Sequence, residues 1–289
     1  MASLADQLRG TRIGLSLSSG FFGFFHHAGV ILALDELGLA PTRVTGASAG
    51  AITGSMLASG MDGRGICDAL FAVRLRDFAD LRFPPVSGRS FALLGGHRLA
   101  ARLAEVLPAH SFETCRLPLA LGATDLDDGR VRHLSSGALV PAVCASAALP
   151  YLLPPVEIAG RTFVDGGVAE KTPLVPFLSG PRVDVVLVSY LPRRTHDAPK
   201  ARTGLLAFLP SPRSLILSMP PEELVERDRA SVTLLREAGV RVLVLAPPRV
   251  ALGPLSLERG PAAVEQARTG VLRLLESPSE DALGSPDLS

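Results

Sequence analysis

Apolar residues along this chain fall into short runs whose spacing alternates between two kinds. Ile13–Leu17 and Val183–Tyr190 are near-continuous apolar runs of strand length, as in strands covered on both faces. Arg43–Thr45, Leu117–Asp125 and Val240–Leu245 read as further strands. Between them the spacing turns helical: Gly23–Leu37 with Gly38 as its stop, Ser48–Ser59 ending at Gly60, Gly63–Phe71, His97–Leu107, Glu223–Ala238 and Pro261–Leu275. Gly137–Ala147 also reads as a helix, with Ser136 as its N-cap. Phe83–Gly96 is irregular, and Val156–Ile158 and Thr162–Val164 flank Ala159-Gly160-Arg161 as a hairpin. Strands alternating with helices predict an α/β fold with a mainly parallel central sheet flanked by helices on both faces. No linker divides the pattern. Residues 1–11 read as an N-terminal extension, 12–275 as one domain, and 276–289 as a Ser-, Pro- and acid-rich tail expected to fray.

Composition narrows the class. Of 289 residues 47% are hydrophobic and 20% charged, too apolar for a disordered chain. A formal net charge of +1 leaves no basic footprint, so no nucleic-acid partner is expected. Cys67, Cys115 and Cys144 are odd in number and far apart, which fits neither a disulfide framework nor a zinc site and suggests a reduced, cytoplasmic protein. Ile13–Leu34 lacks any Lys, Arg, Asp or Glu and is long enough to span a bilayer. Its Ser16, Ser18, Ser19, Gly20, Gly23, His26 and His27 argue instead for a buried strand, a glycine turn and a buried helix.

The candidate chemistry centres on Gly46-Ala47-Ser48-Ala49-Gly50, a G-x-S-x-G placed after a strand and before a helix. In that setting a sharp turn exposes the serine hydroxyl, and the helix start offers N–H groups and a positive dipole end to an oxyanion. A small-residue helix start with Ser48 as a simple cap is the plainer reading. A serine also needs a base. His196, after the Val183–Tyr190 strand, would complete a Ser-His-acid order, although position 48 is early for an α/β-hydrolase and no His-Gly-Gly-Gly loop precedes it. Phe163-Val164-Asp165-Gly166-Gly167 offers Asp165 at the end of a hairpin strand; in isolation such a pair is commonly just a turn. Asp125, Asp127 and Asp128 suggest a metal at first sight, but Asp127-Asp128-Gly129 reads better as a hairpin turn.

Taken together, these motifs resemble the patatin-like phospholipase family. Ile13–Gly60 is similar to that family's opening strand, glycine-rich loop, helix, strand and nucleophile elbow. Ala123-Thr124-Asp125-Leu126, Ser135-Ser136-Gly137, Ala142–Ser146, Leu149-Pro150, Pro154-Pro155-Val156 and Phe163–Pro173 continue the likeness, which covers about residues 12–190. The resemblance implies a three-layer α/β domain and a lipid acyl hydrolase of the phospholipase A or lysophospholipase kind. It would work through a Ser48–Asp165 dyad and an acyl-enzyme, without histidine, metal or cofactor. It implies Ser48 as nucleophile, Asp165 as proton acceptor, the N–H groups of Gly20, Phe21, Phe22 and Ala49 as an oxyanion hole, and Gly46, Gly50, Gly166 and Gly167 as motif glycines. The loop Ser19–Phe24 departs from the family pattern: only Gly20 keeps a family glycine, and Gly23 stands where an arginine is expected. A catalytically silent lipid- or partner-binding protein is the alternative. Phe21, Phe22, Phe24 and Phe25 would divide between the core and the mouth of the site, where they could meet acyl chains or a membrane surface peripherally. His26 and His27 are expected to pack rather than to act as bases.

Overall fold

The computed structural model describes residues 2–78, 80–82, 86–87, 90–191 and 221–278. In chain order the elements are α1 (Leu4–Leu8), β1 (Ile13–Leu17), α2 (Phe24–Glu36), β2 (Pro41–Ala47), α3 (Ala49–Ala58), α4 (Gly63–Phe71), the short hairpin β3 (Val86–Ser87) and β4 (Ser90–Phe91), α5 (His97–Val106), β5 (Leu119–Asp125), β6 (Val131–Leu134), α6 (Leu139–Ser146), β7 (Val156–Ile158), β8 (Arg161–Asp165), β9 (Val185–Ser189), α7 (Pro221–Glu237), β10 (Arg241–Leu245) and α8 (Gly260–Glu276).

The strands order as β10-β9-β1-β2-β5-β8-β7, with β6 also paired to β5. The first five run parallel, and β6, β7 and β8 are antiparallel additions at one side. The continuous apolar strands of the sequence are explained by alternation between two buried faces. Val185, Leu187, Leu243 and Leu245 join the core shared with α1, α2, α3 and α8. Val186, Val188, Val242 and Val244 join a second core with Phe177 and with Val232 and Leu235 of α7. The architecture is therefore three-layered, as the alternating pattern predicts.

Two local features differ from the sequence reading. The N-terminal residues carry a helix absent from the sequence reading: Leu4 and Leu8 of α1 are fully buried against the main core. Their helix begins in a capping box, in which Ser3 and Asp6 bond each other's backbone N–H groups. Ser136 does not cap α6. Gly137 takes φ +83°, its N–H donates to Glu113 Oε1 at 2.9 Å, and Ala138 is the capping residue, without a side-chain bond. The α8 helix reaches Glu276, and the tail from residue 279 lies outside the described residues, as does His196.

The mainly parallel arrangement places the loops after β1, β2, β9 and β10 at one end of the sheet. In open α/β sheets, that carboxyl end beside the strand where the order reverses is where ligands bind. Here the strand is β1, with β2 on one side and β9 on the other.

Candidate functional site

Ser48 occupies the single residue between β2 and α3, and it carries the strain of that turn itself, at φ 53° and ψ −116°. Such a conformation costs a non-glycine residue about 1–3 kcal/mol and persists only where the surroundings impose it. The flanking glycines contribute room rather than dihedral freedom, since neither has a positive φ. A Cβ on Gly46 would lie 2.3 Å from the Gly50 carbonyl oxygen, and one on Gly50 would lie 2.1 Å from that of Leu17. Without side chains at both positions, α3 can fold back directly over the ends of β1 and β2.

Asp165 arrives from the opposite direction. Strand β2 runs parallel to β5 and ends with Ala47 opposite Gly122. Strand β8 runs antiparallel to β5 and ends with Asp165 opposite Ala123. Since β6 occupies the other edge of β5 over the same residues, β2 and β8 share one edge and meet end to end. The next residue beyond β2 and the last of β8 therefore face each other: Ser48 Oγ donates to Asp165 Oδ2 at 2.6 Å. Gly166 must lack a side chain for this approach, because a Cβ there would lie 2.1 Å from the Gly122 oxygen.

The carboxylate is fixed on all sides. Gly167 N–H donates to Oδ1 at 2.7 Å, Thr124 Oγ1 donates to the Asp165 carbonyl at 2.8 Å, and the Asp165 N–H donates to Ala148 O at 3.0 Å. Burial raises its pKa to about 6, against the hydrogen bonds from Ser48 and Gly167, which pull the other way. A residue without an assigned role in the sequence reading completes the elbow. Ser146, at the end of α6, accepts the Ser48 N–H at 3.0 Å and donates to Gly122 O at 2.6 Å. That leaves the Ala49 N–H, at the first turn of α3, as the elbow donor without an intrahelical acceptor.

The loop after β1 lies beside this pair. Ser19 N–H donates to Lys171 O at 2.8 Å, and Gly23 N–H closes a turn onto Gly20 O at 2.9 Å. Among the described residues no acceptor engages the N–H groups of Gly20, Phe21 or Phe22. Phe22 sits at φ +52°. Gly23 is tightly confined: a Cβ there would meet Leu191 Cδ1 at 2.2 Å, so a side chain at this position requires Leu191 to move. Leu191 lies just beyond β9, at a distance in sequence that no local pattern reports, and its N–H is held by Ser18 Oγ at 3.0 Å.

The four loop phenylalanines divide as expected. Phe25 is buried and stacks on Phe71, Phe22 and Phe24 are half-buried, and Phe21 is 47% exposed. Phe22 links Phe21 to Phe78, with centroids 4.8 and 6.0 Å apart. The histidines pack. His27 Nε2 faces the Ser18 carbonyl at 2.8 Å and so carries the proton, leaving Nδ1 to accept from Ser189 Oγ at 2.8 Å. Burial pushes His27 down to about 3 and His26 down to about 4, so both are neutral near pH 7. Asp127-Asp128-Gly129 forms the β5–β6 turn, and Asp125 pairs with Arg132 and Arg161.

This arrangement supplies a serine hydroxyl hydrogen-bonded to a buried carboxylate of raised proton affinity, and unengaged N–H groups at a helix start and a turn. Those are the parts needed for acyl transfer. A sequence model of the patatin-like phospholipases matches residues 15–178. An uncharacterized NTE family protein of Mycobacterium tuberculosis is 30% identical over 189 residues, covering 64% of this chain and 51% of the relative. The lysophospholipase NTE1 of Cryptococcus neoformans is 28% identical over 196 residues, 65% of this chain and 12% of its own length. The chain thus spans about half the length of the mycobacterial relative and much less of the fungal one. Among solved structures, VipD from Legionella pneumophila superposes with a TM-score of 0.48 and 14% identity, covering 93% of this chain and 67% of that one.

Proposed function

The chain belongs to the patatin-like phospholipase family, and on that premise we propose that it is a serine lipid acyl hydrolase using Ser48 and Asp165 as a two-residue catalytic unit. The observation that carries the proposal is the 2.6 Å hydrogen bond between the strained elbow serine and a buried aspartate.

Ser48 Oγ attacks the ester carbonyl carbon as its proton passes to Asp165 Oδ2. The tetrahedral oxyanion is met by the Ala49 N–H and by the loop N–H groups of Gly20, Phe21 and Phe22. Collapse expels the alcohol, which takes the proton back from Asp165 and leaves an acyl-serine. Water then attacks with Asp165 again as base, and the fatty acid departs. An ordinary aspartate, near pKa ~3.9, is a poor acceptor for a serine proton. Raising it to about 6 increases its proton affinity while leaving it mostly ionised at pH 7.

The aromatic residues around the loop support a lipid substrate. Phe21, exposed at the loop, contacts Phe22, which contacts Phe78; Phe22 also leads through Phe24 and Phe25 to exposed Phe71, and exposed Leu75 lies in the turn that ends at Phe78. That apolar rim suits a fatty acyl chain drawn from a membrane surface, as in a phospholipid or lysophospholipid. Among the described residues no helix is long and apolar enough to cross a membrane, so the contact proposed is peripheral.

The test is a fluorophosphonate probe on purified protein, alongside assays with lysophospholipid and short esters. Labelling at Ser48 that Ser48→Ala abolishes, with release of fatty acid, supports the hydrolase. A folded protein that takes no label and cleaves nothing would instead be a silent lipid- or partner-binding member of the family, as the altered Ser19–Phe24 loop would then explain.

A further inference from the structure

The Ser19–Phe24 loop has no cation of its own, and Gly23 lies tight against the Leu191 side chain. A guanidinium comes instead from the far end of the chain. After β10, Arg249 donates from Nη2 to the Phe21 carbonyl at 2.8 Å. The next N–H, that of Val250, donates to His26 Nε2 at 3.0 Å. One residue is thus tied to the loop and its neighbour to the first turn of α2, so this segment straps the loop from outside. Both tethers exist because β1 and β10 are parallel and end at the same edge of the sheet, with β9 between them.

The consequence lies in peptide geometry. In a trans peptide the carbonyl and the following N–H point in opposite directions. Holding the Phe21 oxygen toward Arg249 therefore holds the Phe22 N–H on the other side of the same plane. Phe22 is at φ +52°, a region that a bulky side chain leaves when its backbone is released. A cation on the carbonyl also polarises the peptide and makes its N–H a stronger donor.

We propose that Arg249 is a positioning residue for the oxyanion hole: it fixes and polarises the Phe21–Phe22 peptide so that the Phe22 N–H meets the oxygen of the tetrahedral intermediate. This rests on the acyl-hydrolase reading above. A cation from outside the loop acts on it through one peptide plane.

Wild type, R249A, R249Q and R249K are compared on a short soluble p-nitrophenyl ester, with melting temperatures measured in parallel. In R249A and R249Q, kcat falls about 10- to 50-fold, less than for outright loss of a donor, while KM stays within about twofold. Fluorophosphonate labelling of Ser48 slows in step with kcat, R249K recovers part of the loss, and millimolar guanidinium restores activity to R249A without accelerating wild type. Should R249A fail to fold, R249Q, which keeps length and polarity, carries the same test. A folded R249A or R249Q with kcat within about twofold of an active wild type overturns this inference alone. So does a loss that guanidinium does not rescue and that appears mainly in KM. A wild type that neither cleaves esters nor takes the label removes the hydrolase reading, and this inference falls with it.

Discussion

Asp125 and Asp165 are both buried, and they lie on paired strands, with Asp125 opposite Phe163 and Asp165 opposite Ala123. Their surroundings send them to opposite chemistry. Burial disfavours the Asp125 charge, but the Asp127 N–H and the guanidiniums of Arg161 and Arg132 outweigh it and hold its carboxyl below the usual aspartate value. Asp165 receives two neutral donors among the described residues, the Ser48 hydroxyl and the Gly167 N–H, and burial dominates. A carboxylate satisfied by two cations has little affinity for a proton, and Asp125 is a strut that joins the β5–β6 and β7–β8 hairpins. A carboxylate left with neutral partners is ready to take one. Burial alone therefore does not decide a carboxylate's proton affinity; the charge of its partners does.

The widest separation between the two should appear in activity. Asp165→Asn keeps the shape but removes the proton acceptor, and kcat should fall about 10³- to 10⁴-fold on any ester. Asp125→Asn should keep most activity and lower the melting temperature, because Arg132 and Arg161 lose their shared partner. If Asp125→Asn proved as inactive as Asp165→Asn, the division of roles would be wrong.

The pH profile should follow. Below the raised pKa of Asp165 the carboxyl is protonated and cannot accept from Ser48. Hydrolysis should therefore fall on the acid side with an apparent pKa of about 6, approaching tenfold per pH unit. Asp125→Asn should leave that limb where it is. A limb near 4 would mean that burial does not raise the proton affinity of Asp165.

Stability sharpens the same contrast. Native Asp165 holds its proton more tightly than the unfolded chain does. Between the ordinary aspartate value and about 6 the folded state thus binds more protons, and stability falls as pH rises through that window. The change is roughly 2–3 kcal/mol for a shift of about two units. Asp165→Asn lacks this penalty, so its melting temperature relative to wild type should climb between about pH 4 and pH 6 and then level off. A relative melting temperature that stays flat with pH would remove the case for a proton-hungry carboxyl.

The smallest effect belongs to the rim. Phe21→Ser should leave short-ester hydrolysis nearly unchanged. Long-chain activity should fall, since each buried methylene is worth about 0.8 kcal/mol and one ring covers only a few. Equal loss on both substrates would place Phe21 in the loop's geometry and not in acyl-chain contact.

Much of this was legible in residue order. The β9 and β10 strands are plain because both faces are buried and each run is nearly all Val and Leu, and β1 is plain because its Ile and Leu alternate with small residues and no charge interrupts them. The elbow and the Asp-Gly-Gly turn were legible because glycine is needed where backbones touch, as at Gly46, Gly50 and Gly166. The α1 helix was missed, since five residues show less than two turns of periodicity and its burial depends on packing beneath α8. The Ser136 cap was misplaced because Gly137 turns the chain one residue later.

Residue types and local spacing narrowed the candidate groups to a serine at a strand-to-helix turn, an aspartate before paired glycines and His196 as an alternative base. What they could not determine is anything set by meetings across the sheet. That β2 and β8 abut on one edge of β5 is a matter of strand order, and it alone brings Ser48 and Asp165, 117 positions apart, within hydrogen-bonding distance. Leu191 filling the space beside Gly23, Ser146 taking the Ser48 N–H and Arg249 on the Phe21 carbonyl likewise leave no trace in periodicity. Local structure follows from each segment's own side chains and backbone, whereas the pKa of Asp165 and the shape of the loop depend on neighbours that only the closed sheet assembles.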